Sequence, residues 1–406
     1  MIITISIILL ILDAYVFKSV LYYAKDYNLG IKTLIYSIFW LIPLIIIGMT
    51  ILLSQKMRSI NYDEVDYRAF FALFGIIILF YVPKIIFNSF QLVEDLLSGL
   101  NYLVDKFMFH NHFQRFTFLT TVGFYISVVL FIYIGQGILF GKYNYKTTHT
   151  KLNYENLPKS FDGIKIIHIS DIHIGSLNNK QKVEKAIQSI NAQKPDLILF
   201  SGDLVNNFAK EMNGWEEIFG KLEAKYGKFS VLGNHDYGDY IDWPSENEKL
   251  KNVYDVMEKH KQIGFQLLMN ESVRVPIGND TIYISGVENW GLPPFHQYGD
   301  LNKAISGIPE NAFKILLSHD PSHWDAEILS KTNIDLTLSG HTHAMQAGIN
   351  IFGFKWSPVK YKYPRWSGLY KKENQYLYVN QGFGFIGFPG RIGMPPEITV
   401  IELFSE

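Results

Sequence analysis

Two stretches of this chain run without a charged residue for longer than a lipid bilayer is thick. Thr33–Leu53 covers 21 residues and Phe116–Phe140 covers 25, and a helix needs about 20 apolar residues to cross the hydrocarbon core. Ala69–Phe90 is a third span, interrupted by Pro83 and by Lys84, which is close enough to one end to snorkel. Met1–Tyr23 is a fourth, with Asp13 in its middle and Lys18 beyond. Asp13 is there either as a functional intramembrane carboxylate or as a partner for Lys18. A cleaved leader is the alternative reading of this first segment, but it lacks a positive start and a small-x-small cleavage site. After the third span, Leu92, Val93, Leu96, Leu97, Leu100, Leu103, Val104 and Phe107 recur at helical spacing. They extend that helix or lay a separate one along the membrane interface.

The rest of the chain is of another kind. Residues 1–140 hold 17 charged side chains and the following 266 hold 58, and ten of the twelve histidines lie after Phe140. Overall, 37 Lys and Arg against 38 Asp and Glu leave no basic field for a nucleic-acid backbone. With no cysteine, disulfides, thiolate zinc sites and Cys nucleophiles are excluded. The expected organisation is a transmembrane helical domain over 1–141, a juxtamembrane linker over 142–160 and a polar α/β domain over 161–406. Four spans return the C-terminal part to the side of the N-terminus. Loops on that side carry Lys56, Arg58, Arg68, Lys142, Lys146 and Lys151, against Lys25, Lys32, Lys106 and Arg115 opposite. The excess of positive charge leans toward the cytoplasm, although counting Lys18 and Lys84 evens it.

Beyond the linker, apolar strands alternate with helices. Ile164–Ser170, Asp196–Ser201, Lys228–Leu232, Phe313–Ser318 and Asp335–Ser339 read as buried strands, and Asn179–Ala192 as a helix. Gly278-Asn279-Asp280 marks a hairpin, and Gln375–Gln381 and Glu397–Phe404 close the domain. Each of the five buried strands is followed at once by potential metal ligands: Asp171-Ile172-His173, Gly202-Asp203, Gly233-Asn234-His235-Asp236, His319-Asp320, and Gly340-His341-Thr342-His343. Singly, each cluster is an ordinary turn or a surface histidine. Together they matter, because loops at the carboxyl ends of strands in an α/β sheet converge on one crevice. Carboxylate, amide and imidazole donors suit manganese, iron or zinc and disfavour an all-oxygen calcium cage. His168 reads as a core histidine, His323 as a neighbour of the site or a surface residue, and Asn206 as a site or turn residue.

These motifs, from Ile164 to Phe404, resemble the calcineurin-like metallophosphoesterase family, and most of all its membrane-associated branch. The closing Gly382–Gly390 loop, Arg391 and Pro396-Glu397-Ile398 match that branch, whereas Ala344-Met345 stand where it often has Gly-Gly. The resemblance implies a four-layer α/β/β/α sandwich holding two divalent ions, Mn2+ first and Fe or Zn as alternatives. One ion would take Asp171, His173 and His343, the other Asn234, His319 and His341, with Asp203 and a hydroxide bridging them. The hydroxide would attack a phosphodiester or pyrophosphate. His235 would protonate the leaving group, Asp236 would orient its ring, and Arg391 would contact a substrate phosphate. Membrane lipids are the expected surroundings and lipid-linked phosphoesters such as UDP-diacylglucosamine the expected kind of substrate. By their own residues, the apolar loops Trp290–Phe295 and Phe383–Phe388 either reach the interface or hold acyl chains, or pack in the core. The alternatives are a metal-binding sensor or membrane scaffold without strong catalysis, and a transporter.

Overall fold

A computed structural model describes residues 2–59, 67–109 and 117–406; Arg115 and Phe116 of the sequence reading lie outside the described residues. The chain divides into two compact units, Met1–Leu139 and Phe140–Glu406.

The first unit is four helices, α1 (Ile2–Tyr23), α2 (Leu29–Ser59), α3 (Tyr67–Val104) and α4 (Phe118–Leu139), each long and apolar enough to cross a membrane. The leucine-rich segment after the third span is not a separate helix but continues α3 to Val104. Water cannot satisfy polar groups at this depth, so those of the bundle must meet one another. The buried Asp13 carboxylate accepts from Tyr81 Oη at 2.7 Å and Lys84 Nζ at 2.5 Å. Its partner is therefore Lys84 and not Lys18, which instead binds Asp95 at 2.6 Å. One helical turn separates Lys84 from Tyr81, so a single carboxylate on α1 reaches both. Glu94 of α3 accepts from both the backbone N–H and the hydroxyl of Thr120, at 2.9 Å each, and so caps the first turn of α4.

The second unit is built on β1 (Lys146–Tyr154), β2 (Ile164–Ile169), β3 (Leu197–Phe200), β4 (Gly227–Ser230), β5 (Gln266–Leu267), β6 (Glu271–Ile277), β7 (Asp280–Gly286), β8 (Lys314–Leu317), β9 (Leu336–Ser339), β10 (Ile349–Ile351), β11 (Phe354–Trp356), β12 (Gly368–Lys372), β13 (Gln375–Val379) and β14 (Glu397–Ser405). One six-stranded sheet has the order β1-β14-β2-β3-β4-β5 and the other β12-β13-β9-β8-β7-β6, with β10 and β11 paired apart. Period-two alternation sends Ile166, Leu197 and Leu199 into a core shared with Ile282, Ile315, Leu317 and Leu338 of the opposite sheet. Their neighbours Ile167, Ile169, Ile198 and Phe200 point the other way, onto Val183, Ala186, Ile187 and Ile190 of α5 (Lys180–Ala192). Asn179 starts α5 by accepting from the Lys182 N–H at 3.0 Å. Leu316, Leu377 and Val379 face outward from the second sheet onto Trp324 and Ile328. The expected four layers are present.

One expectation fails, and one open alternative is decided. Residues 146–154 are not linker but β1, paired in parallel with β14 from Lys146↔Glu397 to Tyr154↔Ser405. An edge strand facing solvent needs little apolar alternation, and only Leu152 and Tyr154 of it are buried. The two aromatic loops are largely core: Trp290, Phe383, Phe385 and Phe388 are all buried, leaving Leu292 as the large exposed side chain among them.

Candidate metal centre

The carboxyl ends of β2, β3 and β4 in one sheet and of β8 and β9 in the other meet at one place. There the backbone leaves the ordinary regions: Asp171, His173, Asp203, His341 and His343 all have positive φ, between 46° and 67°. Holding such residues there costs about 1–3 kcal/mol each, a strain that recurs at functional sites. Glycine supplies the close approaches. A Cβ on Gly340 would lie 1.7 Å from Ser170 Oγ, and one on Gly233 2.2 Å from Asp203 Oδ1. Ala344 and Met345, standing where glycines were expected, adopt φ of 48° and 55° nonetheless.

Two donor sets result. In the first, His173 Nε2 lies 3.0 Å from His343 Nε2, and His343 Nε2 lies 3.2 Å from Asp171 Oδ1. In the second, Asn234 Oδ1 lies 2.8 Å from His341 Nδ1 and 3.1 Å from His319 Nε2. Asp203 Oδ2 stands between them, 3.4 Å from His173 Nε2 and 3.2 Å from His319 Nε2. Asp171, His173 and His343, and likewise Asp171, Asp203 and His319, each bring one ligand atom within 4.8 Å of the others. All are buried except His341, which is partly exposed.

The surrounding hydrogen bonds aim lone pairs inward. His319 Nδ1 donates to the Ser201 carbonyl at 2.8 Å, leaving Nε2 to face the crevice. The Asn234 amide donates to Tyr240 Oη at 2.7 Å, which turns its oxygen toward the histidines. His341 Nε2 lies 2.8 Å from Tyr363 Oη and 3.5 Å from Asp320 Oδ2, leaving Nδ1 toward Asn234. Such a cluster of acceptors balances only by placing a proton on one of its own histidines. Burial opposes charge on Asp203, yet His319, His235 and His173 hold its carboxyl well below the usual range. Burial would lower His319 as well, but Asp203 pushes it up to about 10. Burial holds His173 and His341 down. Ligands about 2.0–2.2 Å from one ion stand about 3 Å apart, so the donor set fits divalent cations.

The architecture of these loops is shared with known proteins. Residues 164–345 match the family model described as calcineurin-like phosphoesterase, and residues 1–142 match that of a probable calcineurin-like phosphoesterase transmembrane domain. The Bacillus subtilis protein named uncharacterized metallophosphoesterase YkuE is 30% identical over 265 residues, which is 64% of this chain and 86% of YkuE. The chain belongs to the calcineurin-like metallophosphoesterase family. Members of this family are metal-dependent phosphohydrolases. The Danio rerio and Bos taurus proteins named transmembrane protein with metallophosphoesterase domain are 28% and 29% identical, over 70% and 63% of this metallophosphoesterase. It spans 62% and 56% of their respective lengths.

Two of the residues singled out by sequence, Asp236 and Arg391, stand elsewhere than expected. Asp236 does not touch the His235 ring. Its carboxylate accepts from the N–H groups of Asp203, Leu204, Val205 and Gly233, at 2.8 to 3.1 Å, and so fixes the turn that carries Asp203. The His235 ring is held by the Asn206 carbonyl, 2.7 Å from Nδ1. Arg391 is buried and donates to the carbonyls of Gln381, Gly382, Gly384 and His343, so its guanidinium braces the closing loop and is not open to substrate. His323 is fully buried between Ser318, Glu327 and the Trp290 ring. His168 is the core histidine expected, 2.9 Å from Ser201 Oγ. Sequence reading missed Tyr240, Asp320 and Tyr363 as partners of the ligand residues. Asp320 follows His319 directly and Tyr240 lies six residues after Asn234, but nothing in the chain marks Tyr363.

Proposed function

We propose that this chain is a membrane-anchored phosphohydrolase that cleaves phosphodiester or pyrophosphate bonds at a two-cation centre. The observation that carries the reading is Asp203 Oδ2, which is shared between two complete donor sets. Asp171, His173 and His343 would hold one ion, and Asn234, His319 and His341 the other. Mn2+, Fe or Zn suits this mixture of oxygen and imidazole nitrogen. When bound, such ions supply positive charge for the phosphoryl oxygens and the acidity that makes water a nucleophile.

The residues of the chain do the rest. His235 Nδ1 donates to Asn206, which orients the ring and leaves Nε2 without a hydrogen bond among the described residues. Nε2 is thus the atom to carry the proton taken up by the leaving alkoxide. Asp236 keeps Asp203 in register through the 203–205 turn, and Arg391 keeps the loop beside His343 closed. The four apolar helices support a lipid or lipid-linked substrate, and the lysine and arginine distribution supports a cytoplasmic catalytic unit.

The test is to strip the purified full chain of metal in lipid nanodiscs and reload it with Mn2+. Metal content and hydrolysis of bis-p-nitrophenyl phosphate are then measured. Two ions per chain with restored turnover are expected. Full occupancy by Mn2+, Fe or Zn without turnover would favour a sensor.

A further inference from the structure

The β10–β11 hairpin presents an apolar face that the rest of the unit leaves largely uncovered. Its register pairs Ile349 with Trp356, Asn350 with Lys355 and Ile351 with Phe354. Period-two alternation therefore puts Ile349, Ile351, Phe354 and Trp356 on one face, and Asn350 and Lys355 on the other. A hairpin on a protein in water turns its polar face out. Lys355 is half-buried over a cavity that Lys146, Thr148 and Thr150 of β1 also line, with the exposed Asn350 at its edge, and Lys355 Nζ bonds Ser367 Oγ at 2.5 Å. Ile349, Ile351 and Phe354 stand 40%, 53% and 62% exposed.

The tip carries the point further. Phe352 and Gly353 form the two-residue turn with φ of 50° and 85°, the left-handed pair for which Asn-Gly is the usual choice. A phenylalanine there is strained, and at 105% exposure its ring gains no packing from the chain that would offset the strain. Lys360 and Lys362, six and eight positions after Phe354 in the chain, are exposed, each over an aromatic ring and neither ion-paired among the described residues. Apolar tip plus flanking cations is the chemistry of a segment that lies in an anionic membrane interface. The covalent tether to the apolar spans is short. Lys146, which faces the same cavity as the hairpin's polar side, follows Leu139 at the end of α4 by seven residues. Seven residues reach about 25 Å at most, whatever the arrangement of the two units.

We infer that this hairpin is a lipid-surface anchor. Phe352 and the Ile349–Ile351–Phe354 face enter the boundary between headgroups and acyl chains of an anionic bilayer, and Lys360 and Lys362 lie among the headgroups. The inference rests on the apolar spans and on the register, not on catalysis, so a failure of the hydrolase reading leaves it standing.

Because the chain has no cysteine, single labels can be placed in the full-length protein. Phe352→Cys and Ile351→Cys would each carry a bimane fluorophore, with Tyr254→Cys, exposed on the helix Glu246–Gln262, as reference. In nanodiscs of phosphatidylcholine and phosphatidylglycerol, lipid doxyl-labelled at carbon 5 should quench the hairpin positions at least threefold more than position 254. Replacing phosphatidylglycerol by phosphatidylcholine, or adding Lys360→Glu with Lys362→Glu, should reduce that quenching about twofold. Equal quenching at the hairpin and at position 254 overturns the anchor. So does hairpin emission that responds to protein density and not to doxyl lipid, which would mark a contact between copies of the chain.

Discussion

Both units bury carboxylates, and they do so in opposite ways. Asp13 in the helical bundle ends on a lysine and a tyrosine hydroxyl, so its charge is matched and each of its oxygens has a donor. Asp171 and Asp203 in the crevice also have donors, Ser170 Oγ and the His341 N–H for one and the His235 N–H for the other, but each is shared as well with imidazole nitrogens of His343, His173 and His319, on backbone held in a strained region. Burial does not distinguish a structural carboxylate from a ligand. The partners do, by being complete in one case and by wanting a cation in the other.

This contrast is open to direct attack. Asp203→Asn should cause the largest effect, removing the shared ligand atom. Metal content measured after dialysis should fall by more than the ~10–100-fold typical of losing an outer partner, with turnover falling alongside. Near-normal metal content would put Asp203 in the same class as Asp13. Next comes Lys84→Met, which strands the Asp13 charge in the bundle and should cost roughly 3–5 kcal/mol, read as a lowered unfolding midpoint in nanodiscs. Adding Asp13→Leu should recover most of that loss, and a double variant as unstable as the single would show that the pair is not self-contained.

Tyr363→Phe sharpens the comparison within the crevice. It removes the bond to His341 Nε2 while leaving every ligand in place, and should weaken metal binding about 10-fold with little change in melting temperature. The last test concerns a buried group outside both sites, whose effect vanishes at neutral pH and grows only as pH falls. Burial in the core beside Ser230 and Phe200 brings His260 down to about 3. The unfolded chain binds this proton below about pH 6.5 and the folded one does not, so stability is complete above that value and lost as pH falls toward 3. The slope from this residue is at most about 1.4 kcal/mol per pH unit. His260→Gln should flatten it in urea titrations between pH 4 and 6.5.

Much of this was legible in the chain because it depends on local chemistry. Continuous apolar runs such as Leu197–Phe200 announce strands buried on both faces, and the residues just past their ends announce the crevice. What escaped depends on distant partners. β1 is polar and becomes a strand only because β14 lies beside it. Arg391 and Asp236 look like substrate and catalytic groups by type, and only the carbonyls around one and the amide groups around the other reveal their work. The apolar hairpin is three residues on each side of its turn, too short for periodicity to declare which face is covered.

The length of α3 has one more consequence. At 38 residues it is about 57 Å long, against a hydrocarbon layer of about 30 Å, and a tilt of up to about 40° cannot absorb the difference. From Glu94, where it caps the start of α4, ten further residues carry it about 15 Å past that point. A post therefore stands out of the bilayer where α1 ends and α4 begins, with Tyr102 exposed near its tip. An epitope spliced there would be visible to antibody from a single compartment, and would report which way the protein is inserted with the α/β unit left untouched.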